Sequence, residues 1–489
     1  MNRFILLLVV VGACAPRQSD TPQPRRPRFL AVADSLVHFS DLNSAHWGIE
    51  VFDQARNQSL FSFNASRHFI PASNTKVVVT SVAMGMLGPE YRYRTELLGT
   101  PQGDDGRVER VVVVGRGDPT WSDRFYPSHL TVPEQLADSL WQQGLRAVTG
   151  ELVIDASFFG DERVNGTWEV GDLPYETGAA SGAFVLGEGV IELEVTPGAQ
   201  PGQAASLRVL GPQGLFPIRS SINTDTTRSG ANVDVEFHTF PDSVVLTGRI
   251  GSRGPDTTSI AAPDPVRYAA AVFADALTRK GIQVARVRVV YDSTEAASLR
   301  GSAARPLTSW TSEPLAKIIA GLLQPSQNWI AEQLVRTLGG LQKGIGTWSA
   351  GLDVERRFTI DVIQLDSTSF QLRDASGLSA QNLLSPQALV RLLEYDRQAT
   401  WAAQYRAALP TPGMRNSTLS NRLEGLEGKV FAKTGTITNV ATLSGYVMTQ
   451  SGRELTFSIM VNASGKSSAQ VRRGIDRLVA VLAEERDWE

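Results

Sequence analysis

The chain has 489 residues, 42% hydrophobic and 20% charged, with a mean hydropathy of −0.11. At roughly 100–200 residues per domain that length sets an expectation of two to four domains, and the composition excludes a disordered, collagen-like or multispan membrane chain. Forty-seven basic residues against 50 acidic ones give a net charge of −3, so no basic field points to nucleic acid.

Arg3 precedes the apolar run Phe4–Val11. The run is too short for the roughly 20 residues that span a bilayer and has the size of a signal-peptide core. Val11-Gly12-Ala13-Cys14 then resembles a bacterial lipobox, where cleavage before the Cys exposes it for acylation. A plain signal peptide with an incidental Cys is the alternative. Residues 15–28 carry four Pro, four Arg and one Asp, the composition of an extended, disordered tether. The expectation is a leader over 1–13, lipidation at Cys14, a tether over 14–28, and a periplasmic protein hung from the inner or outer membrane. Cys14 is the one cysteine, so no internal disulfide or Cys-based metal site can form. The five His show no metal-ligand spacing, and neither metal nor cofactor is expected.

Two strands, Trp47–Phe52 and Ser59–Phe63, are predicted around the turn at Asn57-Gln58. Pro71-Ala72-Ser73 leads into a run from Asn74 to Leu87 that is apolar on nearly every face. Its β-branched residues could form a strand, but Pro and Ser before it and Gly88-Pro89 after it favour a buried helix. Short strand-like runs then dominate to about Arg305: Val108–Val114, Leu152–Ile154, Val190–Val195, Val233–Phe237, Val244–Ile250 and Val284–Val290. Helices are predicted within this stretch at Pro133–Leu145 and Pro265–Lys280. Beyond it, helical spacing returns at Pro314–Leu323, Ser326–Leu338, Pro386–Gln398 and Trp401–Leu409. Gly428–Thr436, Ala441–Thr449 and Glu454–Asn462 read as an antiparallel meander, followed by a terminal helix over Ser467–Arg486. The pattern implies a multidomain α/β protein. One domain, 29–93 with 306–489, would be split by a mainly β insertion over 94–305 that holds two nested domains.

Only seven basic residues are Lys, and Lys can lose its proton where Arg cannot. In Ser73-Asn74-Thr75-Lys76 the spacing puts both side chains on one helical face. A Lys among Val, Ala and Met is desolvated, which lowers its pKa; a neutral amine can then take the Ser proton without histidine. The alternative is a capping Ser with a solvated Lys one turn on. No other Lys here has a Ser three residues before it. Lys433-Thr434-Gly435-Thr436 ends a predicted strand; Lys and Thr can bind a carboxylate, and Gly435 would let a substrate backbone lie close. An ordinary strand end with a turn Gly is the alternative. Ser-x-Asn occurs at Ser62–Asn64, Ser221–Asn223 and Ser326–Asn328. Ser326 and Asn328 are selected because they lie at a helix start, between the other two motifs and outside the insertion.

Ser-x-x-Lys, Ser-x-Asn and Lys-Thr-Gly in this order resemble the motif set of penicillin-binding proteins and β-lactamases. The 253 residues from Ser73 to Ser326 (326 minus 73) are similar to the spacing of the class C low-molecular-mass penicillin-binding proteins, the D-alanyl-D-alanine carboxypeptidase/endopeptidases. Further stretches look like that family: Gly117-Asp118-Pro119, Gly150 to Asp155, Asp374 to Ser379, and Leu443 to Tyr446. Two stretches depart from it, with Ala375 in place of a Gly and Pro412–Leu419 lacking a second Gly.

The resemblance implies a penicillin-binding, serine β-lactamase-like catalytic domain, an antiparallel sheet flanked by helices. It implies acyl transfer from peptidoglycan stem peptides to Ser73, with Lys76 as base and Ser326 relaying a proton to the leaving amine. Asn328 would hold the substrate amide, Lys433 and Thr434 the terminal carboxylate, and the N–H groups of Ser73 and Thr436 the oxyanion. β-Lactam antibiotics would acylate the same Ser. Asp155 and Phe159 resemble insertion positions that help recognise the third stem-peptide residue; for Asp155 a strand-end turn role is the alternative. A β-lactamase or esterase on the same fold, and a non-catalytic cell-wall binding protein, are the competing readings.

Overall fold

The computed structural model describes residues 27–486 except 103–104, 227–229, 240–241 and 302. The leader, Cys14 and most of the expected tether lie outside the described residues. Arg28, the tether's expected last residue, already begins the helix Arg28–Asp34.

A five-stranded antiparallel sheet forms the base of the site. Its order runs Val430–Ile437, Val440–Met448, Glu454–Asn462, His46–Asp53, Gln58–Phe63, so both ends of the described chain build one sheet. The two inner strands of the C-terminal meander are buried along almost their whole length, as strands covered on both faces must be. One face packs on the helix Ser468–Glu484 through Ile475, Leu478 and Leu482, with Phe29 and Trp47 completing that core. The other meets the helix Pro386–Gln398, against which lies the helix Lys76–Leu87, whose Val77, Val79 and Val82 are fully buried. That helix is apolar all round because it is packed all round.

The inserted region is mainly β. A six-stranded sheet contains Arg94–Pro101, Arg107–Val114 and Ala147–Asp155. The expected strand 284–290 is two short pieces, Gln283–Val284 and Val287–Val290, each running parallel to Ala147–Asp155. Arg305–Thr311 pairs with Arg94–Pro101, which carries the chain back into the insertion's sheet past residue 306. Two three-stranded sheets complete the insertion, one of Val190–Thr196, Ser206–Val209 and Asp256–Ala261, the other of Ile218–Asp225, Ala231–Thr239 and Asp242–Gly251. The fold is thus a split α/β domain, an antiparallel sheet flanked by helices, carrying a large, mainly β insertion. The helix Asn328–Lys343 packs against Lys76–Leu87 and also touches the insertion, so it stands between the two regions.

Candidate active site

Ser73 does not cap a helix. It lies in a 3₁₀ turn, Ala72–Thr75, that runs directly into the helix starting at Lys76. Ala72 holds φ +47°, an uncommon conformation for a residue with a Cβ, and its carbonyl accepts the Thr75 hydroxyl at 2.9 Å. The turn is pinned to the sheet: Asn74 Nδ2 donates to Ser444 Oγ at 3.0 Å, and Thr442 Oγ1 to Pro71 O at 3.0 Å. The Ser73 side chain is left half-buried above this base.

Lys76 is fully buried. Its Nζ lies 2.9 Å from Ser73 Oγ, 2.7 Å from Asn328 Oδ1 and 2.6 Å from Ser376 O. Burial lowers its pKa to about 7, against the opposing pull of Asp374 and Glu332. An amine with that pKa can accept the proton of the hydroxyl it touches. Lys433, also fully buried, sits across the cleft with Nζ 2.8 Å from Ser326 Oγ and 2.8 Å from Thr434 O. Burial, and then the nearby Lys76, hold its pKa well below the usual Lys value. Ser326 itself has φ +69°. Backbone strain of this kind persists only where the surroundings over-determine it, and it clusters at functional sites. Asn328 Nδ2 reaches Thr177 O in the insertion at 2.9 Å. A cleft of about 210 Å³ opens along Pro325–Asn328 and is closed on its far side by Arg124, Glu176 and Thr177.

The Val430–Ile437 strand is the sheet's edge on the cleft side. Ala432 N–H points off that edge to Pro410 O at 2.9 Å, and alternation along an antiparallel strand sends the N–H groups of Thr434 and Thr436 the same way. Thr434 Oγ1 lies 2.8 Å from Thr418 Oγ1. At Gly435 a Cβ would stand 2.2 Å from Thr442 Oγ1, 2.7 Å from Pro71 O and 3.1 Å from Ser73 N. The need for glycine there comes from the contact between strand and Ser73 turn rather than from room for a substrate backbone.

The three motifs, separate in sequence, therefore converge. Of the three Ser-x-Asn copies only Ser326–Asn328 reaches Lys76 and Lys433; Ser62, on the outer strand Gln58–Phe63, bonds Glu50 on the neighbouring strand, and Ser221 and Asn223 lie on a strand of the insertion. Asp155 and Phe159 are not brought to this cleft. Asp155 ends its strand, accepts from Ser157 N at 3.0 Å and pairs with Arg300, which fits the strand-end alternative. Phe159 is fully buried beneath the Arg336 guanidinium, 4.5 Å from its ring centroid. Both positions are internal framework.

Two acidic residues absent from the expected set stand behind Lys76. Glu332 accepts from the N–H groups of Ser376 at 2.8 Å and Ala375 at 3.3 Å and from Trp348 Nε1 at 2.6 Å; burial and Asp374 push its carboxyl up to about 7. Asp374 accepts from the N–H groups of Gly377 at 2.9 Å and Ser379 at 2.7 Å and from Trp168 Nε1 at 3.0 Å. Together they fix the loop whose Ser376 carbonyl holds Lys76. The signal for Glu332 was its spacing: Asn328, Glu332 and Arg336 recur at i, i+4 on one face of a helix, and the latter two are fully buried.

Residues 30–484 match the D-Ala-D-Ala carboxypeptidase 3 (S13) family. The chain is 30% identical over 495 residues to a D-alanyl-D-alanine carboxypeptidase of Actinomadura sp. (strain R39), covering 98% of this chain and 89% of that protein. It is 23% identical over 470 residues to the D-alanyl-D-alanine carboxypeptidase DacB of Haemophilus influenzae, covering 91% and 93% respectively. The crystal structure of penicillin binding protein 4 from H. influenzae superposes with a TM-score of 0.77 at 22% identity, over 92% of this chain and 97% of that one. With a family match across nearly every described residue and a relative alike over nearly the whole chain, this protein belongs to the S13 family of D-Ala-D-Ala carboxypeptidases.

Proposed function

We propose that the chain is a serine DD-peptidase that cleaves the D-Ala-D-Ala bond of peptidoglycan stem peptides through an acyl-enzyme on Ser73. The observation that carries this reading is the buried Lys76 amine, 2.9 Å from the Ser73 hydroxyl and 2.7 Å from Asn328 Oδ1, in one cluster with Lys433 bonded to Ser326. Lys76 takes the Ser73 proton as Oγ attacks the penultimate carbonyl. The oxyanion forms between the N–H groups of Ser73 and Thr436, donors held in place before reaction. Ser326 gives its proton to the leaving amine and is re-protonated with the one Lys76 took, the C–N bond breaks and D-Ala departs; water then releases the acyl group and restores the Ser73 hydroxyl. Asn328 holds the substrate amide. The terminal carboxylate binds Lys433 and Thr434, which restores to Lys433 the charge that burial disfavours. β-Lactams acylate Ser73 in the same way, and the related H. influenzae protein has been crystallised with a β-lactam.

The domain division follows the same reading, with 29–93 and 306–489 catalytic and the intervening β region inserted; sheet membership supports carrying the return point on to about Thr311. The protein acts outside the cytoplasm, where its polymer lies, tethered through an acylated Cys14. Labelled palmitate should enter the wild type and not Cys14→Ser; an unlabelled wild type removes the anchor.

The test is to incubate the soluble chain with a D-Ala-D-Ala pentapeptide, a cross-linked stem-peptide dimer and a fluorescent penicillin. Released D-Ala and a long-lived adduct lost in Ser73→Ala support the peptidase. Rapid penicillin hydrolysis without D-Ala release would make it a β-lactamase, and neither reaction would make it a binding protein.

A further inference from the structure

Several contacts tie the inserted region to the Ser326–Asn328 turn, and one of them runs through Glu188. Gly187, Glu188 and Gly189 all hold positive φ, at 57°, 57° and 77°. Glycine adopts this backbone freely, whereas Glu188 does so against its own sterics. The conformation turns the Glu188 side chain into the interior, where the residue is 7% exposed. Its carboxylate accepts from Arg124 through both oxygens, Nε to Oε1 at 2.6 Å and Nη2 to Oε2 at 2.8 Å, and from Ser122 Oγ at 3.1 Å. Its remaining donor is the side-chain amide of Gln327.

Gln327 is the unnamed middle residue of Ser-x-Asn. Its amide nitrogen also lies 3.2 Å from Glu176 Oε1, while its own Oε1 accepts from Trp329 N at 2.9 Å, where the helix begins. The side chain is thus clamped at both ends between two residues in left-handed backbone, Ser326 at φ +69° and Glu188 at φ +57°. A buried amide donor needs an acceptor, and an ionised acceptor already held by a guanidinium makes a shorter, stiffer bond than a neutral one. A rotation of Ser326 toward ordinary backbone would carry Gln327 off Glu188 and draw Ser326 Oγ away from Lys433 Nζ, now 2.8 Å apart.

We propose that Glu188 is a positioning residue: through Gln327 it holds Ser326 in the conformation that faces Lys433, so the insertion takes part in acyl transfer and does not serve only as a platform for substrate. The inference rests on the reading of Ser326 as the group that passes the proton. Arg124 supports Glu188 and also lines the cleft wall.

The experiment measures acylation by benzylpenicillin in stopped flow, separating binding from the acylation step, beside the melting temperature of each full-length soluble variant. Glu188→Ala should slow the acylation step about tenfold, the size expected for a lost charge-assisted hydrogen bond, with penicillin binding unchanged. Glu188→Gln keeps an oxygen for the Gln327 amide and should lose less than about threefold. Gln327→Glu sets a carboxylate against Glu188 and Glu176 and should lose about thirtyfold; adding Glu188→Gln reverses the donor and acceptor and should recover about tenfold of that. Simple packing between regions would lower the melting temperature without this recovery. Acylation by Glu188→Ala at the wild-type rate, or a double variant no faster than the product of the two singles, overturns the proposal. If Glu188→Ala does not fold, the Gln327→Glu pair decides. A wild type that penicillin does not acylate overturns the peptidase reading instead.

Discussion

Lowering the pH should switch off acylation through Lys76. Burial takes this amine from an ordinary 10.5 to about 7. Each pKa unit is worth about 1.4 kcal/mol, so the pocket disfavours the ammonium form by about 5 kcal/mol. The neutral form is the one able to take the Ser73 proton, and below its pKa that form declines tenfold per pH unit. The second-order acylation constant with benzylpenicillin, whose carboxylate stays ionised throughout, should stand about tenfold under its plateau at pH 6 and about a hundredfold under it at pH 5. Stopped-flow acylation between pH 5 and 9 reads this directly. Lys76→Arg keeps the charge but cannot lose its proton, so it should lose about a thousandfold or more and show no titrating limb. Stability runs with the same sign. The unfolded chain binds the Lys76 proton up to about 10.5 and the folded chain only up to about 7, so this residue's contribution rises with pH across that window and its full penalty is present below it. Lys76→Met should flatten that part of the stability curve. An acylation profile flat from pH 5 to 9, or one centred near 10.5, would refute Lys76 as the base.

Gly435→Ala should cost about 1–3 kcal/mol in thermal unfolding and slow acylation about tenfold or more, because the new methyl meets Thr442 Oγ1 at 2.2 Å and crowds the Ser73 amide. Wild-type acylation by that variant would show that the strand and the Ser73 turn are not in contact. Asp155→Asn weakens the pair with Arg300 and should lower the melting temperature while leaving the pentapeptide KM within about twofold; a KM rise without loss of stability would return Asp155 to a substrate role. Thr418→Val removes the hydroxyl 2.8 Å from Thr434 Oγ1 and should raise the peptide KM about three- to tenfold with little change in kcat.

Elements with strong local punctuation were legible from sequence. Pro265–Lys280 and Pro386–Gln398 begin and end where expected because Asp264 and Ser385 cap helices that carry Pro in the first turn. Glu454–Asn462 was legible as a run of apolar and β-branched residues between turns. Arg94–Pro101 and Arg305–Thr311 were not, since one contains Gly and ends in Pro, the other carries Pro near its start, and both stay partly exposed. Their pairing depends on two segments some two hundred positions apart finding each other, which no local pattern encodes. The helix Trp348–Asp361 was missed because charged residues dilute its apolar stripe. Within the site, Lys76 could be found because a scarce residue type sat on an apolar helix three positions after a Ser. Glu332 and Glu188 could not be singled out as readily: in sequence an acidic residue reads as a solvated face, and only the packed structure places the first against Ser376 N and the second against Gln327.

The central claim is that Ser73 is the hydroxyl made nucleophilic by its buried neighbour. Intact-protein mass spectrometry after benzylpenicillin, followed by peptide mapping, tests it most directly. One adduct of the antibiotic's mass on the peptide containing Ser73, absent from Ser73→Ala, is the predicted result. An adduct on any other residue, or one that persists in Ser73→Ala, would contradict it.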